Sequence, residues 1–456
     1  MRRVLGQIFA GPSFVFVLVE TLLIAGICLT ILHPSAVNLG AVPTGTATVA
    51  LGLPAGIMVL MYSAGLYDRE ALFNLKRAFW RAALITGPIF GLAVLTTGLL
   101  ARNTNVPIYP YRWEWTVALT GIWLLSALVL RFIFHGVHRS GYLTRPIIFL
   151  GHEREATELS ELAIIPASGF RIATKLLKES DDGQLSSAET LLQCAAQAGA
   201  SEIVVGLRNC DSSLWDALLK CRLSGLRIID YRDFCESEGG RISIDAMTPE
   251  WLALSRGFRF SRSAGVVRRL ADVTLALATL LATAPLLMLT AIAVKLQDGG
   301  PVFYRQERVG VLGKTFVLIK FRSMRRDAEP DGPVWATERD SRITPIGRLL
   351  RKVRIDELPQ FLNVLLGDMT LIGPRPERPC FVRQFSQSIP FYDCRHLMKP
   401  GITGWAQVSF RYGASLEDAK RKLSYDLYYV KNRGLKLDLL ILLKTIGVVV
   451  RGDGAR

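Results

Sequence analysis

The sequence predicts a membrane protein of mixed class. It would comprise a four-helix transmembrane bundle, a Rossmann-like α/β module, and an α+β domain that carries a re-entrant membrane helix. Three observations predict this. Four apolar runs crowd the first 136 residues, strand and helix patterns alternate from Arg145 to about Phe260, and the basic excess of the chain is concentrated after Arg262. The expected parts are therefore 1–136, 137–261 and 262–456.

The four runs are about Ser13–Leu32, Ala47–Tyr67, Ala82–Ala101 and Trp115–Phe134. Each is close to the roughly 20 residues that cross a bilayer. Arg2 and Arg3 precede the first, no small-x-small cleavage pattern follows it, and three further runs do, so it reads as a retained anchor. The loop 33–46 has no Lys or Arg, whereas 68–81 has Arg69, Lys76, Arg77 and Arg81, and Arg131, Arg139 and Arg145 close the fourth run. That distribution places the N-terminus and everything after the fourth run in the cytoplasm. Tyr109, Tyr111 and Trp113 in the third loop suit a membrane interface.

In the middle region, Pro146–Leu150 reads as a buried strand, and Glu202–Leu207 and Leu226–Asp230 as further strands. The segments Glu155–Ile164, Glu189–Ala198 and Ser212–Leu223 read as helices between them. The alternation argues for a small parallel sheet. The first strand is followed by Gly151-His152-Glu153-Arg154-Glu155, without the G-x-G-x-x-G fingerprint, so a structural or regulatory module is expected rather than a dinucleotide site.

Charge sets the class of partner for the last region. Of the net +16, the segment Arg262–Arg456 holds 32 Lys and Arg against 18 Asp and Glu. Such an excess suits phosphates and an anionic membrane face. No RNA- or DNA-reading motif or aromatic-laced basic stripe accompanies it, so nucleic acid is not an expected partner. The seven cysteines form no C-x-x-C and are odd in number, and the five histidines are scattered. Reduced thiols in a cytosolic environment and no zinc site are expected.

A fifth apolar run, Leu270–Leu296, has Arg262, Arg268 and Arg269 before it and Lys295, Arg305, Arg308, Lys314, Lys320 and Arg322 at its end and beyond. Both flanks read as cytoplasmic. Pro285 sits near its middle, where it removes a helix hydrogen bond and invites a kink. A helix that enters the membrane, bends at Ala284-Pro285 and returns reconciles these facts; an ordinary fifth span with a tolerated proline is the alternative.

The segment Pro301–Met324 reads as a hairpin around Gly310-Val311-Leu312-Gly313. Lys320 and Arg322, two apart, share one strand face and could hold a diphosphate; a solvated edge is the alternative. Next comes a basic amphipathic helix, with Ile346, Leu349, Leu350 and Val353 as its apolar stripe among Arg348, Arg351, Lys352 and Arg354. It suits an anionic membrane surface or a core-facing position equally. Pro359 is best tolerated in a first helical turn, so a helix is expected from about Asp356 to Leu366, stopped by Gly367, with Asp356 near its N-cap. One carboxylate of the pair Asp356-Glu357 could attack phosphorus while its neighbour holds a divalent ion, although both are also favoured helix-start residues. Farther on, Ser415-x-x-Asp418 marks a helix start and Gly434 a stop. The apolar stretch Leu437–Val450 contains Asp438 and Lys444, so it is expected to pack or to lie in the interface rather than span.

Taken together, the fifth apolar run, QERVG, KFRSM, DSRITPIGRLLRKVRIDELPQFLNVLLGDMTLIGPRPE and KPGITGWAQV resemble the bacterial sugar transferases, the monotopic-type polyprenyl-phosphate phosphoglycosyl transferases. The resemblance covers about Ser263 to Arg456, and the preceding regions look like those of the family's large, exopolysaccharide-initiating members. It implies an enzyme of the bacterial inner membrane whose catalytic domain lies on the cytoplasmic face. Asp356 would attack the β-phosphorus of a UDP-sugar, expel UMP and form a covalent phosphosugar, which undecaprenyl phosphate then takes up. Glu357, with Asp356, would hold Mg²⁺. Pro374, Arg375 and Pro376 match the family motif near the nucleotide, with Arg375 suited to a phosphate contact. Lys320, Arg322, Arg342 and Arg354 are further candidate phosphate ligands, and Pro285 would be the break of the re-entrant helix. Many members have Ser before that proline, where this chain has Ala284 with Thr283 one residue earlier. A homo-oligomer is compatible with this reading. A catalytically silent scaffold or nucleotide sensor of polysaccharide assembly is the competing reading, and an intact DELPQ and PRP count against it. A glycosyltransferase that makes glycosidic bonds would show a different metal motif.

Overall fold

The computed structural model describes residues 19–26, 56–62, 64–67, 74–104, 113–139, 144–164, 169–177, 187–207, 211–255, 257–258, 262–326, 328, 340–410 and 415–451. The chain is mostly helical, with a parallel sheet. It divides into two compact units, Met1–Gly240 and Arg241–Arg456.

In the first unit, residues 19–26 and 56–62 are helical, and longer helices span Leu75–Thr104 and Trp113–Arg139. Parts of all four expected runs thus fall on helices. Ile24, Ile57, Met61, Ile85, Ile89 and Trp123 close one buried cluster between them. The rest of the run Ser13–Leu32, residues 47–55 and 63 of the run Ala47–Tyr67, and the loops 33–46 and 105–112 lie outside the described residues. Glu20 and Arg131, both buried, meet at 2.7 Å inside this apolar packing. A buried charge in such surroundings requires a partner. Among the described residues, two helical segments, Thr120–Val137 and Ser263–Asp298, are long and apolar enough to cross a membrane by length and composition.

The α/β module forms a four-stranded parallel sheet of order β2-β1-β3-β4, with β1 Arg145–Gly151, β2 Phe170–Leu177, β3 Glu202–Val205 and β4 Arg227–Asp230. The three expected strands are present. The fourth, β2, is an edge strand with only Phe170 buried, so its apolar pattern in the sequence is weak. The strand order reverses between β1 and β3, and the crevice beyond the C-terminal ends of such strands is where open α/β sheets take ligands. Here Glu155 fills it. A Cβ on Gly151 or Gly206 would lie 2.9 or 2.1 Å from Glu155 Oε2. A carboxylate placed there repels a phosphate.

The second unit begins upstream of the boundary expected at 262. Within it, Ile242 N donates to Ser424 O at 3.0 Å, and Lys420 pairs with Asp245 at 2.7 Å. The long apolar helix Arg262–Asp298 runs without interruption through Pro285. Proline removes only its own amide from the ladder, and the Thr283 hydroxyl donates to Thr279 O at 2.7 Å beside it. Both ends of this helix are tied into the same unit. Arg268 pairs with Asp438 at 2.9 Å, Asp272 accepts from Thr370 Oγ1 at 2.7 Å and Leu371 N at 3.0 Å, and Asp298 pairs with Arg322 at the other end. Between these ties, Leu281, Met288, Leu289 and Leu296 are exposed.

The expected hairpin is formed by β5 Phe303–Val309 and β6 Thr315–Phe321. The basic helix spans Pro345–Lys352, and its apolar stripe splits between the two expected roles. Ile346 and Leu350 pack on Val294 and Phe321, whereas Leu349 and Val353 are exposed. The helix Leu416–Asn432 starts with the expected capping box of Ser415 and Asp418. In the following helix, Leu435–Arg451, Asp438 is buried against Tyr429 and Arg268, and Lys444 lies over the Trp405 ring, so the stretch packs as expected of its charges.

The short parallel strands β7 Thr370–Ile372 and β8 Gly401–Thr403 carry the chain into the Pro374-Arg375-Pro376 loop. They meet through glycines: a Cβ on Gly401 would lie 2.0 Å from Gly373 N, and one on Gly373 2.6 Å from Lys399 O. Substitution Gly401→Ala is expected to cost about 2–4 kcal/mol by prising these backbones apart. The check is thermal unfolding of the purified protein, with Gly434→Ala, whose Cβ meets only Asn432 O at 3.9 Å, as the control.

Candidate active site

The turn that presents the acidic pair is built in an unusual way. Arg354 adopts a left-handed conformation, φ 60°, and Ile355–Glu357 form a single 3₁₀ turn. The α-helix starts only at Gln360, with Pro359 at its N-cap, and ends at Leu366 before Gly367, φ 95°. The expectation that Asp356 caps this helix is therefore corrected. Pro359 has no amide to offer the preceding turn, so the helix begins after it and leaves Asp356 in a separate turn. Asn363 anchors the helix to the hairpin, with its Oδ1 accepting from Ile319 N at 3.1 Å and its Nδ2 donating to Val317 O at 2.7 Å. Arg269, from the long helix, donates to Leu365 O at 2.8 Å.

Asp356 is 6% exposed, and its Oδ1 has no hydrogen-bond partner. Burial, followed by the neighbouring Glu357 charge, raises its pKa from 3.8 to about 6 against the opposing pull of Lys320, Arg351 and Arg375. Glu357 goes the other way. Burial alone would raise it, but Arg375 overrides burial: Arg375 Nη2 donates to Glu357 Oε1 at 2.7 Å, and Arg354 Nη1 lies 3.5 Å from the same oxygen. Two adjacent carboxylates are thus separated into one firmly ionised group and one that titrates near neutrality.

The sequence-predicted bases divide in the structure. Lys320 stands on β6 opposite Tyr304, its Nζ 5.1 Å from the ring centroid, and its charge acts on Asp356. Burial, then the Arg308 and Arg351 charges, lower its pKa to about 8. Arg322 lies beyond the end of β6 and turns to Asp298, so the expected Lys320–Arg322 pair does not form. Gly300 makes room for that guanidinium, since a Cβ there would lie 2.0 Å from Arg322 Nη1. Arg342 is engaged by Asp340 through two contacts, Nε to Oδ1 at 2.8 Å and Nη2 to Oδ2 at 2.6 Å. Arg354 faces Glu357. Pro374 and Pro376 flank Arg375 as expected.

Sequence reasoning missed the groups that hold this loop. Arg395, 3% exposed, donates to Arg375 O at 2.9 Å and to Asp426 Oδ2 at 2.7 Å. Arg308 donates to Pro376 O at 3.0 Å, Gly401 N to Pro374 O at 3.0 Å, and Val309 N to Glu377 O at 2.9 Å. Glu377 pairs with Lys422. Arg351, in sequence one base of the amphipathic helix, also acts on Asp356 through its charge, and its Nε donates to Ser323 Oγ at 2.9 Å. No local motif marks Arg395 or Asp426, because their partners lie 20 to 31 residues away. Among the described residues, no group of three or more His, Cys, Asp or Glu side chains is placed to hold a metal ion.

The family model described as bacterial sugar transferase matches residues 263–452. An Aeromonas hydrophila UDP-N-acetylgalactosamine-undecaprenyl-phosphate N-acetylgalactosaminephosphotransferase is 41% identical over 256 residues, 56% of this chain and 60% of that one. The UDP-glucose:undecaprenyl-phosphate glucose-1-phosphate transferase of Escherichia coli is 40% identical over 183 residues, 40% of this chain and 39% of that one. An uncharacterised sugar transferase of Bacillus subtilis, EpsL, is 41% identical over 189 residues, 41% of this chain and 90% of that one. The chain thus spans 60% and 39% of the first two relatives.

The raised Asp356 pKa makes ionisation of this group a cost to the fold at neutral pH. Asp356→Asn is expected to stabilise the protein by about 1–3 kcal/mol at pH 7.5, since one pKa unit corresponds to about 1.4 kcal/mol. The gain should shrink as pH falls through about 6 towards 3.8, where the native carboxyl is protonated in any case. Thermal melts of both proteins across that range test the sign.

Proposed function

We propose that this chain, which belongs to the bacterial sugar transferase family, transfers a sugar 1-phosphate from a UDP-sugar to undecaprenyl phosphate and releases UMP, as the first membrane step of exopolysaccharide biosynthesis. The carrying observation is the buried Asp356 carboxylate, with one oxygen free of hydrogen bonds, facing the charges of Lys320, Arg351 and Arg375. Such a carboxylate is a nucleophile in an environment that attracts phosphate. The names of the Aeromonas and Escherichia relatives supply the donor and acceptor classes.

In the first half-reaction an Asp356 oxygen attacks the β-phosphorus of the donor. The bond from that phosphorus to the α,β-bridging oxygen breaks, and UMP leaves with the oxygen. In the second, a phosphate oxygen of undecaprenyl phosphate attacks the phosphorus of the aspartyl-linked phosphosugar, and the Asp356 carboxylate is regenerated. Lys320, Arg351 and Arg375 offset the charge of the pentavalent transition states. Arg375 also holds Glu357 in place, so it serves both the acid pair and the phosphates. Asp356 and Glu357 fit Mg²⁺, since both offer hard oxygen donors, Oδ1 of Asp356 lacks a partner, and this ion commonly takes one or two carboxylates plus substrate phosphate. When bound, the ion would neutralise part of the diphosphate charge.

The four N-terminal runs are proposed to form a transmembrane bundle, which the outward Trp80, Leu84, Leu125 and Phe132 support. The fifth is proposed to enter and leave by the cytoplasmic face. Basic residues flank it on both sides, and both of its ends are tied to the second unit.

With a panel of UDP-sugars, Mg²⁺ and undecaprenyl phosphate, the purified protein should release UMP. Without lipid acceptor, label from the sugar phosphate should stay on the protein. Asp356→Asn should lower turnover by about 10⁴-fold or more, and full activity in that variant would refute the covalent mechanism. Single-turnover labelling should fall as pH drops through about 6, because the nucleophile is the ionised carboxylate. Cysteine labelling beyond residue 330 from the periplasm would sink the re-entrant arrangement.

A further inference from the structure

The α/β module carries a surface that neither its own fold nor the proposed reaction uses. On the helix Ser212–Leu223, Leu214, Ala217, Leu218 and Cys221 are buried against the sheet. The opposite side exposes Trp215 at 52%, Leu219 at 55% and Leu223 at 79%. Their spacing of four residues makes one continuous ridge along the helix. Singly exposed apolar residues are ordinary, but a tryptophan and two leucines in register form a docking stripe.

The charges beside the ridge indicate what covers it. Asp216 is exposed at the N-terminal half, and Lys220 and Arg222 are exposed at the C-terminal half. An anionic membrane would attract the second half and repel the first, whereas membrane-lying helices carry bases along their whole polar side. A second copy of the same helix, running antiparallel, matches both. We propose that this ridge is a homotypic interface, closed by a two-fold axis at Leu219. Leu219 then meets its own copy, Trp215 of one chain covers Leu223 of the other, and Asp216 comes beside Lys220 of the other on one side of the pair. Such an interface is isologous, so each favourable contact occurs twice. One helix pair is a small interface. Anchoring both chains in the same bilayer raises their effective concentration and lets a small contact suffice.

The test uses the whole protein in native membranes. Leu219→Cys, at the axis, should give an oxidative cross-linked dimer band above the wild-type background, while Ser213→Cys, exposed on the same helix but off the ridge, should not. Adding Asp216→Lys to Leu219→Cys should reduce the band several-fold, and adding Lys220→Asp as well should restore it. UMP release by Leu219→Cys under reducing conditions, at the wild-type rate, confirms that the variant is folded. A Leu219→Cys band no stronger than that of Ser213→Cys overturns the proposal. So does a band at the mass of a different protein, or a charge reversal that is not rescued.

Discussion

Two carboxylates adjacent in sequence and held in one buried turn repel each other, and the layout of the second unit follows from how that repulsion is resolved. Two unit charges about 4 Å apart interact by about 4 kcal/mol at the effective dielectric of a protein surface. The site resolves this by giving Glu357 a close partner, Arg375, at 2.7 Å, and leaving Oδ1 of Asp356 without a hydrogen bond. Glu357 therefore holds the stable negative charge, and Asp356 carries both the burial and the repulsion. A carboxylate raised in this way retains more basicity, hence more nucleophilicity, than one held by an arginine. The same arrangement explains why the bases nearest Asp356 do not neutralise it outright. Lys320 is depressed by burial and by the Arg308 and Arg351 charges, and Arg351 by burial and the Arg342 charge, so in the proposed reaction an incoming phosphate would relieve the strain that burial imposes on them.

The arrangement depends on the backbone of Arg375 staying where it is, and the fold secures it from several elements at once. Arg395 holds the Arg375 carbonyl, Arg308 that of Pro376, and the Gly401 amide that of Pro374. Arg395 is in turn fixed by Asp426 from the helix Leu416–Asn432. A buried ion pair adds little net stability, but removing one partner leaves an uncompensated charge and commonly costs 3–5 kcal/mol or roughly that. The Asp426–Arg395 pair is better understood as a specification of geometry. It transmits the position of a distant helix to the guanidinium that decides which carboxylate is ionised.

What was legible in the sequence follows the range of each interaction. The hairpin, the capping box at Ser415 and the Gly367 stop rest on neighbours within a few residues, and the parallel module on the alternation of strand and helix patterns along the chain; each is present. The acidic pair and the Pro-Arg-Pro loop were legible as motifs. Their electrostatic partition was not, because it depends on Arg375 reaching back 18 residues to Glu357. The pairing of Lys320 with Arg322 failed for a local reason: alternation holds only while the strand lasts, and β6 ends at Phe321. The N-cap role of Asp356 failed because the chain takes a separate 3₁₀ turn at Ile355–Glu357 before Pro359, and the helix starts only after the proline. Arg395 and Asp426 gave no signal at all, since a buried ion pair across elements looks like two ordinary surface charges in a linear pattern.

The long apolar helix Arg262–Asp298 is bonded to the elements on both sides of the acidic turn. At about 1.5 Å per residue its 37 residues would extend for about 55 Å if straight, more than a bilayer core requires. Arg269 near its start caps the carbonyl end of the helix that follows Asp356, and Asp298 at its end holds the strand that carries Lys320. A helix with many exposed apolar side chains is therefore bonded to both sides of the acidic turn. In the proposed re-entrant arrangement, a lipid-embedded middle and two ends fixed to the second unit would set the depth of that turn relative to the membrane. An acceptor whose phosphate lies at the membrane surface while its chain stays in the lipid needs a nucleophile at that depth. A soluble domain on a flexible tether would not keep Asp356 there, whereas this helix would do so through the same hydrogen bonds that order the site.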